Sequence, residues 1–371
     1  MSGTLSAVDN MANRSCGADV FGQAGSKAEQ EKGFGKRYEL VMDGQPVMRF
    51  LIQDAITQAQ LERAVRVTEF YLKDVPGSAY GSDKSGVRKQ LAANNATMLL
   101  LNGADGESSV PRIQGQPLYA SEIAAEGSRW YVINDPEHRD AALEEIFHQV
   151  HDNGIGTNRP GALPQYQAVL LAGAKKALAD GRWAKSAPAW VAELEAEGSL
   201  AQEYIASVID TWYGMWAHSP DGNEIYRFST REEVRNEDPD GAQLIRDFLP
   251  NTLEYEAYID PSFNGSFTLT KSADTVYSGK SQYLRGARLT GENAAGLIGN
   301  DLDNTLRGNQ SDNQLDGAGG TDVAIYCHAA DLYAVTRDGA DVIVTGPDGT
   351  DTLSNIERVH FLDGTRNVPT R

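Results

Sequence analysis

The stretch GNDLDNTLRGNQSDNQLDGAGGTDVAI, residues 299–325, decides the fold of the C-terminal part of the chain. Cutting it before each leading glycine gives three units of nine residues, 299–307, 308–316 and 317–325, and the shorter GENAAGLI, residues 291–298, precedes them. Each full unit has Gly at position 1 and Asn or Asp at position 6, and the first two have Leu at position 8. A fixed nine-residue period predicts a stack of coils, in which every unit contributes a turn and a short strand with its apolar residue pointing inward.

These units resemble the G-G-x-G-x-D-x-U-x nonapeptide of the RTX, or haemolysin-type, calcium-binding proteins. The resemblance implies a parallel β-roll whose turns hold calcium through backbone carbonyls and side-chain oxygens, the ligands that this hard cation prefers. Asn304 and Asn313 stand where the pattern has Asp and only Asp322 keeps it, so we expect one or two weak sites. The alternative is a Gly- and Asn-rich loop without calcium. The calcium-binding residues implied are Asn300, Asp301, Asp303, Asn304, Asn309, Asp312, Asn313, Gly317, Gly319 and Asp322.

The segments around the repeat are predicted to be strands. Residues 261–285 alternate polar and apolar positions with Gly and Ser between them, and a hairpin is expected to turn at Asp338-Gly339. The final stretch DGTDTLSNIERVHFLDG, residues 348–364, resembles the capping segment of secreted RTX enzymes. This resemblance implies a secreted protein whose uncleaved C-terminal signal is read by a type I export machinery.

Composition argues against several classes of partner. The chain has 33 Lys and Arg against 52 Asp and Glu, a formal net charge of −19, which opposes binding to nucleic acid or to an anionic membrane. No run of 18 apolar residues occurs, so we expect no transmembrane segment. Residues 1–35 lack the apolar core of a signal peptide and are predicted to form a mobile arm. Cys16 and Cys327, far apart in the chain, are predicted to be two free thiols.

A second informative stretch is DAALEEIFHQVHDNG, residues 140–154, where histidines and carboxylates gather at helical spacing. In a helix, Glu144, His148 and His151 fall on one stripe with Glu145 at its shoulder, and the apolar residues fall mostly on the other side. Imidazole and carboxylate groups are ligands that divalent transition metals accept. The stretch therefore predicts a metal site, and the alternative is an amphipathic surface helix.

The arrangement is similar to the active helix of the zincin metallopeptidases, whose signature H-E-x-x-H places two ligands one turn apart and a general base beside the first. The aligned residues here are EEIFH, residues 144–148, so Glu replaces the first His. A later stretch, SLAQEYIASVIDTWYGMW (199–216), resembles the helix that supplies the last ligand of gluzincins. The resemblance implies Zn²⁺ or another divalent transition metal held by Glu144, His148 and Glu203, with His151 as an alternative ligand and Glu145 acting on the bound water.

The other elements ahead of residue 260 follow from local signals. A hairpin is expected around Asp43-Gly44, and Thr57 is expected to cap a helix that runs to about residue 73. ATMLLLNG, residues 96–103, is predicted to be a buried strand, and SRWYVIND, residues 128–135, a further strand. Helical periodicity dominates from there to about residue 250.

These features predict an α+β chain in four segments. They are a mobile arm (1–35), a mostly helical zincin-like domain with a small sheet (36–260), linking strands (261–285) and an all-β RTX parallel β-roll with its cap (286–371). The predicted function is a secreted calcium-binding protein with a metal-dependent, peptidase-like hydrolase domain, whose substrate is a peptide or another polymer. The alternative is a non-catalytic calcium-binding surface or matrix protein on a degenerate zincin-like scaffold.

Overall fold

A computed structural model of the chain describes residues 11–12, 15–16, 20, 22–106, 110–133, 140–157, 159–217 and 225–369. The chain is α+β, as expected from the sequence. It divides into two compact units. The mixed unit consists of Val20–Ala124 and Pro136–Asn251, and the β unit consists of Met1–Asp19, Ala125–Asp135 and Thr252–Arg371.

The helices in the described residues are mostly short and are concentrated in the mixed unit. In chain order they are α1 (Lys27–Gln30), α2 (Gln58–Leu72), α3 (Ser85–Ala93), α4 (Arg129–Ile133), α5 (Ala142–Val150), α6 (Pro164–Ala179), α7 (Pro188–Glu197), α8 (Leu200–Trp212), α9 (Arg231–Glu237), α10 (Pro239–Phe248) and α11 (Ser278–Ser281). Short 3₁₀ helices span Ala120–Glu122 and Ala330–Leu332, and a π-helix spans His151–Gly156.

The strands of the two units differ in length, and those of the nine-residue units have three residues each. In chain order they are β1 (Gln23–Ala24), β2 (Lys36–Met42), β3 (Gln45–Ile52), β4 (Thr97–Leu101), β5 (Gln116–Tyr119), β6 (Leu253–Ile259), β7 (Ser266–Thr268), β8 (Leu284–Leu289), β9 (Gly296–Ile298), β10 (Thr305–Arg307), β11 (Gln314–Asp316), β12 (Val323–Ile325), β13 (Ala334–Asp338), β14 (Asp341–Gly346), β15 (Gly349–Ser354), β16 (Arg358–Phe361) and β17 (Gly364–Asn367).

The sheet of the mixed unit has the strand order β1-β2-β3-β4-β5. The predicted hairpin is confirmed: β2 and β3 pair antiparallel, and Asp43 and Gly44 both have positive φ, as a tight turn of this type requires. The predicted buried strand is β4, whose five residues are all buried. The capped helix is α2, where Thr57 and Gln60 form a capping box.

Two predictions for the N-terminal half differ from the structure. The described part of the arm is packed: Gln23 and Ala24 pair with β2, and Phe34 is fully buried. Residues 129–133, predicted to be a strand, form α4. The apolar and aromatic residues of this run fit both the two-residue period of a strand and the 3.6-residue period of a helix. A run of five residues is too short to distinguish a strand from a helical turn.

In its described residues, the β unit is built from two six-stranded sheets, with orders β17-β16-β12-β10-β8-β6 and β13-β14-β15-β11-β9-β7. Consecutive strands from β8 to β12 alternate between the sheets, and within each sheet these strands pair in parallel. Thr305 pairs with Val323, and 323 − 305 = 18, so one full coil contains two nine-residue units. The position-8 residues Leu306 and Leu315 are buried, which confirms that they point into the unit.

The first strand of this unit lies outside the range that the sequence assigned to it. β6 pairs in parallel with β8, so Thr252–Ile259 belongs with the C-terminal strands rather than with the helices of 36–260. The hairpin predicted at Asp338-Gly339 is present as β13 and β14. In the part of the chain that the structure describes, no helix has both the length and the apolar character needed to span a membrane.

A disulfide links Cys16 and Cys327, so the prediction of two free thiols is wrong. The bond belongs to the β unit, where Ala12 packs against Val323 and Ile325, with both cysteines at the edge of this cluster. The sequence does not reveal this pairing, because the two cysteines are far apart in the chain and only its coiling brings residue 327 to the N-terminal segment.

Candidate metal centre

The helix that carries the predicted ligands is held in place by its apolar face. Leu143, Ile146, Phe147 and Val150 are fully buried, and α5 packs against α2 and α8. The hydroxyl of Tyr71 on α2 donates a hydrogen bond to the carbonyl of Leu143 at 2.8 Å. These contacts fix the rotation of α5 about its axis, and its polar face is thereby directed toward α8.

Three of the predicted ligands come together. Glu144, His148 and Glu203 each offer a ligand atom, and these atoms all lie within 4.8 Å of one another. Nε2 of His148 lies 3.5 Å from Oε1 of Glu203, which stands in the first turn of α8. The His148 side chain is 5% exposed and that of Glu203 is 20% exposed, so the group sits at the edge of the core. One imidazole and two carboxylates fit a borderline divalent metal such as Zn²⁺.

Glu145 contacts the other nitrogen of the His148 imidazole. Its Oε2 atom lies 3.5 Å from Nδ1 of His148 and accepts a hydrogen bond of 2.6 Å from Nε2 of Gln116 at the start of β5. Glu145 thus joins the sheet edge to the candidate ligand. Gln116 has no signal in the sequence, since its role depends on how β5 lies against α5.

His151 is not part of the three-residue group. It begins the π-helix and is fully buried, with Nε2 2.5 Å from Oε1 of Gln167. Burial lowers the pKa of His151 to about 4, against a smaller opposing effect of Gln167, so its imidazole is neutral at physiological pH. His151 begins the π turn, and its imidazole is directed to Gln167 rather than to the three-residue group. Such turns occur frequently at functional sites.

A small polar cavity of about 90 Å³ lies beside Gln116, the hydrogen-bond partner of Glu145. Its lining includes Gln116, Gln149 and Asn153, and the amide oxygen of Gln149 accepts a hydrogen bond of 3.1 Å from Asn153. Arg159 also lines it and donates to Oδ1 of Asn153 at 2.9 Å. Amide and guanidinium groups in a recess next to Glu145 can bind a polar group by hydrogen bonding.

The predicted calcium residues lie in the turns of the β unit. At position 6, Asn304 and Asn313 are buried, and each side-chain oxygen accepts a 2.8 Å hydrogen bond from the position-2 N–H of its own unit, that of Asn300 or Asn309. Asp301, Asp303 and Asp312 are exposed on the turns, and Gly317 and Gly319 belong to the turn that leads to Asp322. The calcium assignment of these residues stays a prediction.

Asp322 has a different environment from the two asparagines. It is 1% exposed, and burial raises its pKa to about 7, helped by repulsion from Glu357, Asp303 and Asp316. Its Oδ1 accepts from the backbone N–H of Asn304 at 2.6 Å, whereas Oδ2 has no hydrogen-bond partner among the described residues. A buried carboxylate oxygen without a donor is a costly arrangement unless the group is protonated or a cation is bound.

Sequence reasoning missed Asp351, which takes the position-6 role on the opposite sheet. Its Oδ1 accepts from the backbone N–H of Asn313 at 2.8 Å, and its Oδ2 accepts from the hydroxyl of Tyr326 at 2.8 Å. A signal for it does exist. Asp351 opens D-T-L-S just as Asn304 opens N-T-L-R and Asn313 opens N-Q-L-D.

Searches against protein-family models, curated proteins and solved structures find no match for this chain.

Proposed function

We propose that the mixed unit is a metal-dependent hydrolase, peptidase-like in its chemistry. The observation that carries the proposal is the convergence of Glu144, His148 and Glu203 from two helices. A surface helix has no need to bring a buried imidazole and two carboxylates within reach of one another. The zincin-like resemblance of residues 144–148 supports the same assignment.

Glu144, His148 and Glu203 would hold Zn²⁺ or another divalent transition metal. When bound, such a metal polarises a substrate carbonyl and makes its bound water more acidic. Two carboxylates leave less positive charge on the site than two imidazoles would, which favours a less acidic water and hence slow hydrolysis.

Glu145 is the residue proposed to accept and return the proton. Its contact with Nδ1 of His148 also lets it orient that imidazole, and the hydrogen bond from Gln116 holds the carboxylate in position. The amide-lined cavity beside Gln116 and Gln149 would receive a polar side chain of a peptide substrate or a polar group of another polymer.

We also propose that the β unit binds calcium and that the protein acts outside the cell. The nine-residue period and the unpartnered Oδ2 of Asp322 support calcium binding. The Cys16–Cys327 disulfide supports an oxidising location, because such bonds persist mainly in secreted proteins. A type I export machinery is part of this proposal through the RTX resemblance alone.

The second candidate is a non-catalytic calcium-binding surface or matrix protein. The observation that favours it is Glu144 itself, since a Glu replaces the first His of the zincin signature. In this candidate, His148 and its three glutamates stabilise α5 against α8 without holding a metal.

Elemental analysis of protein purified without added metal, followed by zinc titration, separates the two candidates. The hydrolase proposal expects a bound transition metal in the wild type and its loss in His148→Ala. Glu195→Gln, at an exposed position of α7, serves as the control and should bind as the wild type does.

Hydrolysis of denatured casein by the zinc-loaded protein provides the second readout. Activity in the wild type and its loss in Glu145→Gln, with zinc retained, are expected. Absence of any transition-metal binding by the wild type would remove the hydrolase proposal and leave the calcium-binding protein. Metal binding without hydrolysis would mean that the site binds a metal for a purpose other than peptide hydrolysis.

A further inference from the structure

The polar cavity next to Gln116 is lined by side chains that continue the helix face of Glu145. Gln149 lies one turn after Glu145 on α5, and Asn153 follows four residues later in the π-helix. Both line the cavity, together with Gln116 from β5. The proposed base and the cavity are thus connected in two ways, along α5 to Gln149 and through the hydrogen bond with Gln116.

Arg159 fixes how the amide of Gln149 is oriented. A guanidinium group only donates, so the bond from Nη1 of Arg159 at 2.9 Å requires the amide oxygen of Asn153 on that side. The amide nitrogen of Asn153 then faces Gln149 and donates to its oxygen at 3.1 Å. Gln149 therefore has its amide oxygen occupied and its Nε2 donor directed elsewhere.

The Nε2 atom of Gln149 faces the cavity without a partner. The residue is only 4% exposed, and this atom makes no hydrogen bond to any residue that the structure describes. The atom is not sealed from solvent, so the small exposed surface of Gln149 at the cavity includes this donor. Such a donor is available to a ligand, and a ligand that leaves it without a hydrogen bond binds at a cost.

Gln116 supplies the complementary group. The ionised carboxylate of Glu145 only accepts, so the 2.6 Å bond fixes Nε2 of Gln116 on that side and turns its Oε1 atom away. This oxygen accepts no hydrogen bond from the described residues, and Gln116 is half-buried at the wall of the cavity. The cavity therefore offers one free amide donor and one free amide acceptor on different side chains.

The charges at the cavity compensate each other. Oδ2 of Asp152 lies 3.8 Å from Nε of Arg159, and Oδ1 of Asp152 accepts from the hydroxyl of Thr157 at 2.5 Å. With this pair neutralised, the cavity has no net charge to attract a carboxylate or an ammonium group. Its volume of about 90 Å³ is that of about three water molecules, and a carboxamide likewise has three non-hydrogen atoms.

We infer that this cavity recognises a carboxamide, the side chain of a glutamine or asparagine in a peptide substrate. The carbonyl oxygen of that side chain accepts from Nε2 of Gln149, and its NH₂ group donates to Oε1 of Gln116. A carboxylate offers no hydrogen to Gln116, an ammonium group offers no acceptor to Gln149, and a hydroxyl has a single oxygen for both walls. The inference rests on the proposed function, because it names the side chain that the hydrolase site selects.

Binding of short alanine-glycine peptides with one central Gln, Glu or Met tests the inference. Calorimetry on chelator-treated, full-length protein measures binding without hydrolysis, and Met matches Gln in length but lacks the amide. The Gln peptide should bind about 10- to 100-fold more tightly than either of the others, because it alone satisfies both free amide groups of the cavity. In zinc-loaded protein, kcat/KM should follow the same order.

Gln149→Glu removes the donor but keeps an oxygen for the bond from Asn153. This variant should lose the preference for Gln over Met and should bind zinc as the wild type does, which shows that the metal site is intact. Gln165→Glu, at an exposed position of α6, makes the same change away from the cavity and should keep the preference.

Equal binding of the three peptides by the wild type would overturn the inference, and so would a preference for Gln that persists in Gln149→Glu. Either result leaves the hydrolase proposal to the zinc and casein experiments. Tight binding of the Gln peptide without hydrolysis of any peptide would instead remove the proposed hydrolase and keep the carboxamide site. If Gln149→Glu does not fold, the wild-type comparison of Gln with Met decides alone.

Discussion

Glu145 and Glu203 contact opposite nitrogens of the His148 imidazole: Oε2 of Glu145 lies 3.5 Å from Nδ1, and Oε1 of Glu203 lies 3.5 Å from Nε2. A carboxylate on the nitrogen that does not bind the metal is the common device for orienting a metal-binding histidine. If His148 binds a metal through Nε2, as proposed, Glu145 orients its imidazole in addition to acting as the base that the zincin resemblance implies.

The two roles of Glu145 predict different results for two substitutions. Glu145→Gln keeps an acceptor for the Nδ1 proton, so zinc affinity should change little while hydrolysis is lost. Glu145→Ala removes the acceptor as well, and zinc affinity should fall about 10- to 100-fold. Competition with a chromophoric chelator measures the affinity. If Glu145→Ala binds zinc as tightly as the wild type does, the positioning role is refuted and only the role of base is left.

A second prediction concerns Glu203, the ligand candidate from α8. Glu203→Gln keeps the size of the side chain but removes the charge that a divalent cation requires, so zinc affinity should drop by more than the ~10–100-fold typical of an outer partner. Far-UV circular dichroism should be unchanged, because Glu203 is partly exposed and its backbone lies within α8. Equal zinc affinity in Glu203→Gln and in Glu195→Gln would place the metal elsewhere.

The positions of Glu144, His148 and Glu203 could be anticipated because each lies on a regular helix with a strong apolar face. The 3.6-residue period fixes which side chains share a stripe, and the buried residues of α5 and α8 fix how the two helices face each other. The same reasoning failed for His151, whose imidazole contacts Gln167 on α6 instead of joining the three-residue group. Helical spacing places a side chain on a stripe but does not reveal which partner on another helix it contacts.

The sequence predicts the coils of the β unit but not the contacts between them. The nine-residue period predicts short strands with buried Leu306 and Leu315, and both are buried. The sequence shows that Asn replaces Asp at position 6. The consequence depends on which backbone carbonyls the Asn amides contact, and those carbonyls belong to coils about 18 residues away. The disulfide between Cys16 and Cys327 was hidden for the same reason, as it depends on tertiary structure alone.

A third prediction follows from Asp351. Burial raises its pKa from near 3.8 to about 6, although the N–H of Asn313 and the hydroxyl of Tyr326 oppose the shift. Below about pH 4 the group is protonated in both states and makes no contribution. Between about pH 4 and 6 the unfolded chain has lost the proton and the folded chain keeps it, so the free energy of unfolding should fall by up to about 3 kcal/mol and then level off.

Denaturant unfolding in calcium-free buffer over this pH range measures the effect of Asp351. Other groups titrate in the same pH range, so the wild type is compared with Asp351→Asn. The fall in the free energy of unfolding should be smaller in this variant. Asp338→Asn is the control and should keep the wild-type slope. A slope that is the same in all three proteins would mean that Asp351 is ionised in the folded state across the range.

The last prediction concerns the disulfide of the β unit. Cys16 and Cys327 are 311 residues apart in sequence, and the bond holds the segment that contains Ala12 against the buried residues Val323 and Ile325. Cys16→Ser should lower the free energy of unfolding by roughly 2–4 kcal/mol, since the cross-link restricts the unfolded chain. Reductant should destabilise the wild type by a similar amount and leave Cys16→Ser unchanged, which separates the loss of the bond from damage caused by the serine. The double variant with Cys327→Ser should match the single variant, because the two changes remove one and the same bond. Wild-type stability that does not respond to reductant, with both thiols then reactive to a labelling reagent, would show that the cross-link contributes nothing to the stability of this unit.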